Sequence, residues 1–184
     1  MKKMGLTLLT VVMVLSALSI AVYAERPATE QGVWLYTPYV KLKDDSGECV
    51  KPSDPPDPLA ELCQKFANGN MFLETFEDGE WTGTFTGVST ENGKVVVHSS
   101  GAWSFNAIVS FSEVTVDGQP GTLEMSVVGT RPDANSDWVG TWVILRGTGN
   151  LATLRGQGTW EGPGAPAPGV QGRIDYEGKI HFRP

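Results

Sequence analysis

The sequence predicts an all-β protein: a small antiparallel up-and-down β-barrel of about eight strands, with one short helix in an N-terminal extension. Three observations predict it. Beyond Met71 apolar and polar residues alternate with period two through most of the chain, the pattern of strands with one face inward and one outward. These runs are short and follow one another across Gly-, Asn- and Asp-containing turns, so consecutive strands pair as hairpins. No internal repeat of about 20 to 50 residues is present, which disfavours a propeller or a solenoid, and closure into a barrel removes exposed sheet edges.

The chain opens with the three parts of a secretory signal peptide. Lys2 and Lys3 precede an uncharged apolar run from Gly5 to Ala21, and Val22-Tyr23-Ala24 supplies the cleavage site. The expected location is therefore secreted, periplasmic or cell-surface. An uncleaved membrane anchor is the alternative, because the run approaches the roughly 18 apolar residues that span a bilayer. Cleavage after Ala24 leaves 160 of the 184 residues, enough for one core. The expected organisation is a signal at 1–24, an extension at 25–69 and the barrel at 70–184. The full chain carries a formal charge of −7, and loss of Lys2 and Lys3 takes it to −9. Without a basic cluster, nucleic acid and an anionic membrane surface are poor partners.

In the extension, Val33 to Leu42 reads as a strand, one that could add to the barrel, in which Pro38 marks an edge or a strand start. Lys43 to Pro58 is a polar, Pro-rich loop. The one expected helix follows: Asp57 caps it, Pro58 takes the first position, and Leu59, Leu62, Cys63 and Phe66 share a face before Asn68 and Gly69 stop it.

The barrel strands then come in order. Met71 to Glu77 is expected to turn at Asp78-Gly79 into Trp81 to Ser89, and Glu91-Asn92-Gly93 to turn that strand into Lys94 to Ser99. Trp103, Phe105, Ala107, Val109 and Phe111 form the clearest core face. The apolar phase then shifts to Val114 and Val116, which requires a bulge or bend near Ser112 and Glu113. DGQPG at Asp117 to Gly121 is a turn, Leu123, Met125 and Val127 resume alternation, and RPDANSD leads to the central stretch, Trp138 to Trp160. That stretch reads as two strands with bulk on both faces, joined by a tight crossing. A Gly/Pro loop at Gly162 to Gly169 precedes the last strand, with Ile174, Tyr176, Ile180 and Phe182 buried and Arg173, Asp175, Glu177, Lys179 and His181 wet.

GTLEMSVVGTRPD (121–133), WVGTWVILRGTGNLATLRGQGTW (138–160) and DYEGKIHF (175–182) resemble a family of uncharacterised secreted prokaryotic proteins, similar in turn to the allene oxide cyclase type of barrel and more loosely to dirigent proteins. The resemblance covers roughly Asn70 to Pro184. It implies a small eight-stranded antiparallel barrel with a narrow interior. The Gly, Leu and Trp residues of the motif pack and turn the chain, and no catalytic residue carries over with the barrel.

Several groups are candidates for chemistry. Cys49 and Cys63 are the only cysteines, and export favours a disulfide between them. Asp133, Asn135 and Asp137 have the start of a calcium-loop spacing, but Trp138 and Ile144 stand where its Gly and Glu belong, so a self-bonded turn is expected and no metal is assigned. His98 and His181 lie on separate strands without ligand spacing. No hydrolase, phosphate-loop or cofactor motif is present. Glu124 is the acid of interest: facing an apolar interior it would gain a raised pKa and act as donor or base, whereas facing solvent it would not.

Trp103, Phe105, Trp142 and Tyr176, with Glu124, are the expected lining of a ligand pocket, and Trp81, Phe85 and Trp160 are further aromatic candidates. The alternative is that the aromatics fill the narrow barrel. Trp142 is expected to be buried against an aromatic of the Trp103 to Phe111 strand. Three functions remain open: binding of a small apolar ligand, an interaction module with a filled core, and a cyclase- or isomerase-like enzyme. A cavity without the acid favours binding, a filled interior favours the interaction module, and a cavity faced by a carboxylate revives the enzyme.

Overall fold

A computed structural model describes residues 28–52, 61–164 and 167–183. The expected signal peptide lies outside the described residues. Eight antiparallel strands close into a barrel: β1 (Ala28–Val40), β5 (Asn70–Gly83), β6 (Phe85–Val97), β7 (Trp103–Val116), β8 (Gln119–Arg131), β9 (Trp138–Gly147), β10 (Leu154–Gly164) and β11 (Gly172–Phe182). From β5 to β11 each strand pairs with the next in sequence. β1 closes the ring between β11 and β5, pairing Gly32 with Tyr176 on one side and with Gly83 on the other. The strand expected at Val33 to Leu42 thus joins the ring as part of β1, N-terminal to Asn70. Pro38 sits past the Tyr36–Gly172 pair, where β11 has ended and β1 is paired only with β5, as suits a residue without an N–H.

Three short strands form a strap beside β1 and β5. β2 (Leu42–Lys43) pairs with β3 (Cys49–Val50), and β4 (Gln64–Ala67) pairs with Asn70 to Leu73 of β5. The Cys49–Cys63 disulfide, Cα atoms 5.8 Å apart, ties the strap together. The expected helix is corrected here. Asp57 to Ala60 lie outside the described residues, but Leu62 bridges to Leu42 and Phe66 lies within β4, 69 % exposed. β5 extends beyond Thr75, the last residue paired with β1, and leaves an open edge that residues 64–67 fill with strand hydrogen bonds. Cys63 is buried by the disulfide and by backbone bonds to Lys41 and Glu74, not by a helix face.

The two expected turns at Asp78-Gly79 and Glu91-Asn92-Gly93 are also corrected. β5 and β6 run straight through both, in unbroken register from Met71–Val97 to Trp81–Gly87. Gly79 and Gly93 have ordinary extended backbones and are needed for space: a Cβ at Gly79 would lie 2.1 Å from Trp34 Nε1, and one at Gly93 would lie 2.9 Å from the Phe105 ring and from Thr75 Oγ1. The real turn is at Gly83-Thr84. The bulge expected near Ser112 and Glu113 is present, because the β7–β8 register shifts between Phe111 and Val114 and both intervening side chains face out.

The interior divides into two halves. At the end carrying the β5–β6, β7–β8 and β9–β10 turns, Phe85, Val116, Leu123, Met125, Leu151 and Leu154 are all fully buried and plug the barrel. Leu151 belongs to a 3-10 turn, Gly149–Leu151, inserted between β9 and β10. Trp142 belongs to this filled half and is 1 % exposed. Its expected packing partner is corrected: the ring meets Phe85 edge-on at 5.5 Å, not an aromatic of β7, and Nε1 donates to the Glu177 carbonyl at 3.1 Å. The outer wall keeps Ile108, Val128, Val139, Val143 and Leu145 exposed, which accounts for the bulk on both faces of the central stretch.

Candidate functional site

The other half of the barrel is hollow. A cavity of about 280 Å³ opens toward the β6–β7, β8–β9 and β10–β11 connections. Its walls are aromatic. Trp34 and Tyr36 come from β1, Trp103 and Phe105 from β7, Trp138 from β9 and Trp160 from β10. Each reaches inward because strand pleating sends alternate residues to the same face. Phe105, Trp138 and Trp160 meet one another with centroids 6.0 to 6.5 Å apart, an edge-and-tilt arrangement that holds the rings rigid.

Two charged residues line this cavity among the described residues, Glu77 and Arg131. Glu77 comes from β5 and is 6 % exposed. Directly across the β5–β6 ladder stands Glu91, 0 % exposed. Oε2 of Glu77, both carboxyl oxygens of Glu91, Oγ1 of Thr75 and Nε1 of Trp34 are buried without a hydrogen-bond partner among the described residues. Burial without compensating bonds disfavours the charged form, so the Glu77 carboxyl is raised to about 8. Glu91 is raised well above the ordinary range, first by burial and then by the adjacent Glu77. At neutral pH Glu77 is therefore a carboxylic acid, able to donate a hydrogen bond at the cavity wall.

Arg131 closes β8 at the cavity mouth. Its guanidinium lies over the Trp103 ring at 4.1 Å and the Trp138 ring at 4.8 Å. Nη1 donates to the Ala134 carbonyl at 3.2 Å, whereas Nε is buried with no acceptor among the described residues.

The expected pocket residues separate into three groups. Trp103 and Phe105 line the cavity, as does Trp160. Trp142 and Tyr176 belong to the filled half instead. The Tyr176 hydroxyl donates to the Thr82 carbonyl and accepts from the Phe85 N–H, both at 3.1 Å, and burial pushes its pKa to about 12. Glu124 points outward. It forms a two-pronged ion pair with Arg146, at 2.8 and 2.6 Å, which holds its carboxyl below the ordinary value. With Arg146, Glu80 and Thr90 it lines an open depression of about 710 Å³.

Glu77, Arg131, Trp34 and Trp138 escaped the sequence reading. A signal for Glu77 existed, since it shares the parity of Leu73 and Trp81, but Asp78-Gly79 looked like the end of the strand. Asp133 accepts from the Asn135 N–H and the Ser136 hydroxyl, making a turn. His98 contacts Ser104, and no cluster of metal-ligating side chains occurs among the described residues. No helix among them is long and apolar enough to cross a membrane, and the disulfide agrees with an oxidising compartment.

Neither a scan of protein-family models nor a search of curated proteins finds a match. Among solved structures, the chain is similar to a protein of unknown function of the DUF3224 family from Shewanella oneidensis MR-1, with 13 % identity and a TM-score of 0.55. The match covers 86 % of this chain and 99 % of that one. At that identity the likeness establishes the barrel fold, and the protein is a β-barrel whose function its neighbour leaves open.

Proposed function

We propose that the hollow half of the barrel binds a small, largely apolar molecule. One observation carries the reading: the 280 Å³ aromatic cavity with Glu77 at its wall, whose Oε2 has no hydrogen-bond partner among the described residues. Apolar enclosure with a few converging polar groups is what small-molecule sites look like. A volume near the lower end of such sites points to a ligand smaller than a typical drug. Leaving a buried carboxyl oxygen unbonded costs roughly 1 to 3 kcal/mol, which a hydrogen bond to a bound ligand would recover. An interaction module with a filled core fits only the plugged half.

Native mass spectrometry of protein purified from its own host tests the proposal, because a co-purifying ligand appears as a mass adduct. Trp34, Trp103, Trp138 and Trp160 also make the site its own fluorescent reporter. Absence of an adduct, together with unchanged tryptophan emission across a panel of small apolar compounds, would exclude the binding reading.

A cyclase- or isomerase-like activity, the reading suggested by the allene oxide cyclase resemblance, is the second proposal. Glu77 favours it, because a neutral carboxylic acid facing an apolar cavity can protonate a ligand oxygen. Its test is whether Glu77→Gln retains binding of the adduct identified above while losing its conversion.

A further inference from the structure

We infer that the ligand of this cavity carries an anionic head, a carboxylate or its chemical equivalent, which Arg131 receives at the barrel mouth. The inference rests on the binding reading above and names the ligand class. Four observations support it.

The first is that the guanidinium is held in place before any ligand arrives. Trp103 and Trp138 flank it at 4.1 and 4.8 Å and Nη1 is tied to the Ala134 carbonyl, so little side-chain freedom remains to be lost on binding. The second is that its donor set is incomplete: Nη1 bonds the Ala134 carbonyl, and Nε meets no acceptor among the described residues. A planar guanidinium in that state matches a carboxylate.

The third is that no acid among the described residues forms an ion pair with it. Burial disfavours the charged guanidinium and lowers its pKa, while Tyr36 and, more weakly, Asp133 favour the charged form. The Asp133 carboxylate is occupied by the Asn135 N–H at 2.8 Å and the Ser136 hydroxyl at 3.0 Å. The fourth is the charge of the cavity. Glu77 is the other ionisable group of the wall besides the tyrosines, and it is mostly neutral at pH 7. The cavity thus presents one positive charge within a chain whose net charge is −7. An amine head would meet Arg131 with like charge, and a neutral head would leave the guanidinium edge incompletely paired.

The test compares three probes of one chain length, octanoate, 1-octanol and octylamine, by quenching of tryptophan emission. It uses the wild-type protein, Arg131→Gln and Arg131→Lys, each first checked for a native thermal transition. A hydrogen-bonded charge pair predicts that octanoate binds the wild type roughly tenfold or more tightly than octanol, with octylamine weakest. The preference should fall to within about twofold in Arg131→Gln and recover in part in Arg131→Lys. Octanol binding as tightly as octanoate in the wild type would overturn the anionic head while leaving the binding cavity intact. Failure of all three probes to bind would overturn the cavity reading and the inference together. The wild-type comparison decides the matter even if Arg131→Gln does not fold.

Discussion

Glu77 and Glu91 face each other across the β5–β6 ladder inside the barrel, and neither carboxyl is fully hydrogen-bonded. Two adjacent acids without a cation between them cannot both ionise cheaply in a dry interior. The pair makes the β5–β6 wall of the interior locally polar.

The first prediction concerns the pH response of the fold. The folded Glu77 carboxyl holds its proton up to about pH 8, against a reference of 4.5 in the unfolded chain. Between those values the folded state binds more protons than the unfolded state, so stability is fully present below about pH 4.5 and falls as pH rises through about 8. At about 1.4 kcal/mol per pKa unit the loss is on the order of several kcal/mol, and Glu91 extends it further upward in pH. The melting temperature should drop by several degrees from about pH 5 to about pH 9, and Glu77→Gln should flatten this slope. A wild-type profile that rises over the same interval would refute the buried neutral pair.

Trp142 tests the filled half. Its ring lies over the backbones of Gly158 and Gly178, where an added Cβ would come within 2.6 and 2.3 Å of the indole, and its N–H is bonded to Glu177. Trp142→Ala should cost about 3 to 5 kcal/mol, read as a lower midpoint in urea. Because Trp142 is not part of the cavity wall, Trp142→Phe, a smaller change, should keep octanoate binding. Loss of binding in a folded Trp142→Phe protein would place the site elsewhere.

The disulfide provides a third test. Intact mass before and after alkylation should show no free thiol in the native protein. Cys49 and Cys63 are 14 residues apart, a closure worth about 3 kcal/mol by chain entropy. Reduction should therefore lower thermal stability while leaving the strand spectrum of the barrel, which the strap flanks without completing. A fully unfolded reduced protein would contradict this arrangement.

Glu124→Ala supplies the contrast. The residue lies outside the cavity in an exposed ion pair with Arg146, and such pairs contribute little. Thermal midpoint and probe binding should both match the wild type. A loss of binding comparable to that in Arg131→Gln would return Glu124 to the site.

The sequence by itself determined what depends on local alternation. Parity marked the inward faces of β7 and β11, and the break in parity located the bulge at Ser112 and Glu113. Parity also set Glu124 on the face opposite Leu123 and Met125, which the structure places outside. Gly79 and Gly93 were misread because glycine serves turns and close approaches alike, and local sequence does not distinguish them. Only the ring of Trp34 reaching over from β1, and that of Phe105 from β7, makes the second role necessary.

Tertiary structure alone decided that β1 is a stave of the barrel, that residues 64–67 answer the open edge of β5 instead of continuing a helix, and that one half is plugged while the other is hollow. Cavities and buried carboxyl pairs arise where strands distant in sequence close on one another. Glu77 and Arg131, from β5 and β8, become members of one site because the barrel closes around the space between them.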